Sequence, residues 1–260
     1  MNYYIIYAAI ALVTILVSTL FGYLIPMMYR EKKFRTFWDK CPECENKKTK
    51  NELYSPISFW KYGGYCKKHA VKPYKNILFT LFFTVASMLP LVLEHIFTGN
   101  PFSADSIVAS VVAMLLVYAT LTDFKGLVIP DFCNIAIFCI GIATMFHSAF
   151  AEANPVYWER IIGMVCISLP LFLTCLLGKS GFGDVKLFAA LGILLGWKNL
   201  LLVLLVATIT GLIYAFFKKI TAKNLKWKSE VPFGPFICLG TYLSLTAGEE
   251  LITAYMRLFQ

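Results

Sequence analysis

Long apolar runs alternate along this chain with short polar stretches, and the runs have the length that one helical crossing of a membrane needs, roughly twenty residues. A first helix is predicted from Tyr3 to Ile25, closed by Pro26 and Arg30, and is too long for a signal-peptide core, so it is expected to persist as a span. Further spans are expected over Asn76 to His95, Ile107 to Leu121 and Phe132 to Phe150. The last of these starts where Pro130 disfavours helix at Ile129 and allows a restart at Asp131. Ile161 to Leu177 forms the fifth and Val185 to Leu195 a short sixth, its ends blurred by Gly192, Gly196 and Lys198. Leu200 to Phe217 is the seventh, and the eighth opens with Val231-Pro-Phe-Gly-Pro235 and ends near Tyr255. The expected architecture is an all-α polytopic membrane protein of about eight transmembrane helices. Three parts follow: residues 1–29 as the first helix, 30–75 as a polar Cys/His domain, and 76–260 as the membrane domain.

Composition agrees: 58% of the 260 residues are hydrophobic, too many for a soluble domain. A formal charge of +9 would suit nucleic acid if it lay on one folded face. Instead the basic residues gather in two loops beside spans, which points to membrane orientation and away from a nucleic-acid partner. Residues 30–75 hold 13 Lys or Arg against 5 Asp or Glu, and Lys218, Lys219, Lys223, Lys226 and Lys228 form the second cluster. The positive-inside rule places both in the cytoplasm and both termini outside. The loop with Glu94 and Asp105 carries no Lys or Arg and fits the outer side.

Two polar stretches between apolar runs carry carboxylates. Gly178-Lys-Ser-Gly-Phe-Gly-Asp184 leads into the apolar run from Val185, and its glycines allow close backbone approach by an extended segment. Leu121-Thr-Asp-Phe-Lys-Gly-Leu-Val-Ile-Pro-Asp131 supplies Asp123 and Asp131. Asp also serves as a helix N-cap, which is the structural reading of Asp184 and the favoured one for Asp131. By the parity of spans, Asp123 and Asp184 reach the same membrane face. Two carboxyls together can hydrolyse an amide, one activating water while the other protonates the developing oxyanion or leaving amine.

Cys41-Pro-Glu-Cys44 and Cys66-Lys-Lys-His69 are two pairs whose spacing suits one tetrahedral zinc ion, three thiolates and an imidazole. A site with all four positions filled by protein is structural rather than catalytic. Cys133, Cys139, Cys166, Cys175 and Cys238 lie in or beside apolar runs, where cysteine behaves as a small hydrophobe. Lys125 and Lys186 stand two residues after Asp123 and Asp184, and snorkelling toward headgroups is the expected use of both. His95 and His147 are expected near the outer interface.

The two aspartate stretches, Pro232-Phe-Gly-Pro-Phe236, and the Cys-x-x-Cys cluster with Ser58-Phe-Trp-Lys-Tyr-Gly-Gly-Tyr-Cys66 together resemble the type IV prepilin peptidases, membrane aspartyl proteases of the Gly-x-Gly-Asp class. The resemblance covers nearly the whole chain. It implies removal of the short basic leader of prepilins and pseudopilins at the cytoplasmic face of the inner membrane, with Asp123 and Asp184 as the catalytic pair and Asp131 outside it. It also implies methylation of the new N-terminus with S-adenosylmethionine, which many members perform. Two stretches depart from the family pattern: Gly22-Tyr-Leu-Ile-Pro26 stands where a Gly-Ser-Phe-Leu-Asn run is usual, and His69 replaces a fourth cysteine. The rival classes are an ion-coupled transporter, which would set its acidic residues near mid-bilayer in broken helices, and a membrane scaffold built on the zinc loop, which leaves both aspartates unexplained.

Overall fold

The structure, a computed structural model, describes residues 3–28, 60–61, 66–69, 73–98, 103–151, 157–177, 181–221 and 232–257. Every regular element among them is helical: α1 (Tyr3–Met28), α2 (Pro73–Thr98), α3 (Ala104–Gly126), α4 (Asp131–Ala151), α5 (Tyr157–Cys166), α6 (Ser168–Leu176), α7 (Phe182–Thr221) and α8 (Gly234–Arg257). Among the described residues five segments are long and apolar enough to cross a membrane: Ile77–Ile96, Ala104–Phe124, Asp131–Ala149, Tyr157–Leu176 and Phe182–Ile220. In lipid a helix satisfies its own backbone, so apolar runs of this length have few other stable forms. Their outward faces keep large apolar side chains uncovered, Leu212 at 73% and Leu176 at 67%, as a lipid-facing surface requires.

The chain divides into two compact units, Met1–Ile96 and Phe97–Gln260. In the first, α1 and α2 run antiparallel. Tyr7 bonds to His95 at 2.6 Å near one end, and Phe21 meets the buried Phe83 edge-on nearer the other. His95 is therefore engaged with α1.

In the second unit α7 is the central element and touches α4, α5, α6 and α8. It has 40 residues, enough for about 60 Å if straight, twice a membrane's hydrocarbon thickness. It is not straight. Gly196 takes φ 77° and ψ 171°, a conformation open essentially to glycine alone, and the two halves run in opposite directions. The first half travels with α4: Lys186 meets Asp131 near the start, and Ile193 abuts Gly141 ten residues further along α4. The second half returns along α8, passing Gly248 at Asn199, Gly240 at Val203 and Phe233 and Phe236 at Gly211. Both ends of α7 thus lie at one end of this unit. The expected sixth and seventh helices are these two halves, joined with almost no loop.

α5 and α6 differ from the single fifth helix expected. Pro170 has no N–H to offer the Cys166 carbonyl, and the helix breaks at Ile167. α5 approaches α7 very closely where two glycines face each other. A Cβ on Gly192 would fall 2.4 Å from the backbone of Gly163, so the two helices touch main chain to main chain. Arg160 ties the same region, donating to Thr144 Oγ1 at 2.7 Å and to the Gly141 and Ile193 carbonyls. Gly192→Val is accordingly expected to cost about 3 kcal/mol or more, because backbone rather than a yielding side chain occupies the space. Thermal unfolding in detergent checks this, and an unchanged Tm would refute the close packing.

Candidate active site

α3 delivers Asp123 in its final turn. The helix stops where Leu127 adopts φ 54° and ψ 35°, its N–H bonding back to the Asp123 carbonyl at 2.9 Å. Thr122 turns its hydroxyl onto the carbonyls of Tyr118 and Ala119, and the buried Tyr118 ring packs on Phe132 of α4. Asp123 is thereby held inside the fold, only 5% exposed. The apolar run by itself predicts an end at Leu121. The observed helix runs on to Gly126, so the carboxylate belongs to a rigid element.

The partner that receives Asp123 is the start of α8. The Gly234 N–H donates to Asp123 Oδ2 at 2.9 Å across 111 residues of sequence. Gly234 is the first residue of α8, and the first N–H groups of a helix have no partner within it. They also form the positive end of the helix dipole, which favours an anion. A Cβ on Gly234 would stand 2.7 Å from that same oxygen and push it aside.

Asp184 is the third residue of α7 and lies in its first turn, half-buried. It is not the N-cap that a glycine-rich turn suggested. Its Oδ2 lies 3.7 Å from the position a Cβ on Gly181 would take. Ile129 joins the two aspartate neighbourhoods: its Cβ is 3.4 Å from the Cβ position of Gly183, and its Cδ1 is 3.2 Å from that of Gly234. Asp123 and Asp184 lie within electrostatic reach of one another.

Asp131 stands apart from this pair in kind. It is the first residue of α4 rather than its N-cap, it is exposed, and its Oδ1 accepts from Lys186 Nζ at 2.8 Å. Lys186 was expected to snorkel. It bonds across to α4 instead, because the first turns of α4 and α7 lie side by side. The Lys125 side chain lies outside the described residues.

Cys238, expected from its apolar run to be a small hydrophobe, stands beside the site. It is buried, hydrogen-bonded to Thr120, and within electrostatic reach of both aspartates. Ile129 and Gly234 were likewise not singled out. A signal for them existed, since each sits beside a proline at the edge of an apolar run.

Of the expected zinc ligands, Cys41 and Cys44 lie outside the described residues. Cys66 and His69 form one turn, with His69 N–H on the Cys66 carbonyl at 2.9 Å and Cys66 Sγ 3.4 Å from His69 Nδ1. Among the described residues no three His, Cys, Asp or Glu side chains converge as a metal site.

Residues 110–216, which include Asp123, Asp131 and Asp184, match the type IV leader peptidase family. Over that stretch the chain is similar to that family. Relatives named prepilin leader peptidase/N-methyltransferase extend the likeness. The one from Legionella pneumophila is 28% identical over 160 residues, 60% of this chain and 55% of that protein. An Aeromonas salmonicida relative is 25% identical over 83% of this chain and 73% of its own length. One from Bacillus subtilis is 26% identical over 84% of this chain and 85% of its own. Against the Legionella protein the match therefore spans little more than half of the relative. No solved structure matches the chain.

Proposed function

We propose that this protein is a membrane aspartic endopeptidase that removes the basic leader of prepilins and pseudopilins at the cytoplasmic face of the membrane. One observation carries the reading: Asp123, gripped by the Gly234 N–H, and Asp184, in the first turn of α7, come to the same end of one helical unit with Ile129 between their glycine neighbours. Amide hydrolysis needs one carboxylate to take a proton from water and one carboxyl to give a proton to the leaving amine. The two aspartates supply those groups, and Asp184, half-buried, is the more accessible to solvent and substrate. Lys218 and Lys219 close the returning half of α7 at this same end, which fits a cytoplasmic site by the positive-inside rule. With α7 counted as two crossings and α5 with α6 as one broken crossing, the reading is eight passes.

The residues also fit a structural zinc. Bond lengths of about 2.3 Å to sulfur and 2.0 Å to nitrogen put two tetrahedral ligand atoms about 3.5 Å apart. Cys66 Sγ and His69 Nδ1 are 3.4 Å apart. Those two residues would hold the ion with Cys41 and Cys44, and the ion would fold the polar stretch between α1 and α2 rather than act on the peptide. The relatives' names carry a second activity, N-methyl transfer, and we extend it to this chain as a separate reaction using S-adenosylmethionine. No described residue is assigned to that cofactor.

Purified protein incubated with a prepilin of the same organism should yield a product lighter by the mass of the leader. With labelled S-adenosylmethionine present, the new N-terminus should gain one methyl group. Metal analysis of the preparation should return about one zinc per chain. An intact prepilin after prolonged incubation would exclude the peptidase reading.

A further inference from the structure

Among the described residues five buried side-chain atoms lack a hydrogen-bond partner, and two of them, Nδ2 and Oδ1, belong to one residue, Asn134. A carboxamide with donor and acceptor both unmade is the costly case, since each end has lost water and gained nothing. Such a group calls for a partner outside the folded chain. Asn134 is 5% exposed and occupies the first turn of α4. It follows Asp131 by three positions, and residues so spaced share a helix face. Asp131 reaches Lys186 of α7, so that face is turned to the helix that carries Asp184. At 1.5 Å per residue Asn134 lies only about 5 Å further along α4 than Asp131. The other unpaired atoms are remote: Ser110 is about 20 Å along α3 from Asp123, and Asn199 and Ser244 flank Gly248, at the far end of α8 from Gly234.

We propose that Asn134 is a substrate-binding residue of this site, its carboxamide pairing with the main chain of an extended peptide drawn up to the aspartates. Nδ2–H donates to a peptide carbonyl and Oδ1 accepts a peptide N–H. The inference rests on the leader-peptidase reading and deepens it. A helical peptide buries its amides in its own hydrogen bonds, so a segment about to be cut must be extended. Each of its N–H and C=O groups then needs a partner where water is scarce. A carboxamide presents a donor and an acceptor side by side, which matches the edge of such a segment.

The test uses the full chain in lipid nanodiscs and a synthetic peptide with a basic leader joined to an apolar stretch. Asn134→Leu should lower kcat/KM about tenfold to a hundredfold while Tm holds or rises, because two unmade polar groups leave the interior. Placed on an Asp184→Asn background, the same change should weaken peptide binding, read by fluorescence anisotropy, by a similar factor. A fall in Tm that tracks the loss of activity would show a partner within the fold and overturn the inference. Unchanged cleavage and binding, as expected if only water meets the amide, would overturn it too. If the wild type does not cut the peptide, the peptidase reading itself fails and takes the inference with it. If the wild type cuts and Asn134→Leu cuts equally well, the inference alone fails.

Discussion

Asp123→Asn and Asp184→Asn are each expected to reduce leader cleavage by at least about a thousandfold, while the protein inserts and folds as before. Asparagine keeps the shape of the side chain, and at position 123 its oxygen can still accept the Gly234 N–H, so the 2.9 Å contact that anchors α8 to α3 survives. What is lost is the capacity to take up or release a proton. Removing either member removes the joint action, so the double variant should be no worse than the singles. Asp131→Asn is the control. Its carboxylate is exposed and bonded to Lys186 on the surface, a pairing worth at most about 1 kcal/mol, and activity should stay within a few-fold of wild type. Cleavage by mass spectrometry, with far-ultraviolet circular dichroism for folding, reads all four proteins. Wild-type rates from either the 123 or the 184 variant would end the two-carboxyl mechanism.

Gly234→Ala is expected to cost about a hundredfold in kcat with little loss of stability. The new Cβ would stand 2.7 Å from Asp123 Oδ2, 3.0 Å from its Cγ and 3.2 Å from Ile129 Cδ1. The carboxylate must turn away, which stretches its bond to the Gly234 N–H and moves a reacting group by about 1 Å, a displacement able to cost that factor in rate. Helix propensity works the other way, alanine being the better residue in a first turn, so Tm gives no reason for the loss. Gly181→Ala is the informative comparison. Its Cβ would meet nothing nearer than Asp184 Oδ2 at 3.7 Å, so the fold should accept it, and any fall in rate there reports on the approach of the substrate. Steady-state kinetics beside thermal unfolding separates the two cases. Full activity in Gly234→Ala would mean that the grip of α8 on Asp123 has no part in the chemistry.

Much of this protein is determined locally. The apolar runs dictate helices because a helix satisfies its own backbone in lipid. The prolines at 130 and 170 act on their immediate neighbours. The candidate carboxylates, too, are visible in sequence, since an aspartate beside an apolar run has few cheap explanations. A short sixth helix with glycines around its end is legible in the sequence, although it starts at Phe182 rather than Val185, and no local pattern tells a loop from the abrupt reversal at Gly196, which depends on what the two halves of α7 pack against. The same limit explains the errors at Asp131 and Lys186. Each had a reasonable local role, as cap and as snorkelling cation, and each is diverted to the other because two helices begin side by side. The grip of Gly234 on Asp123, the place of Ile129 between the aspartate neighbourhoods and the unpaired amide of Asn134 were decided by tertiary structure alone. Those contacts join positions far apart in the chain, and their energies depend on the neighbours that packing supplies, which no local pattern of apolar and polar residues encodes.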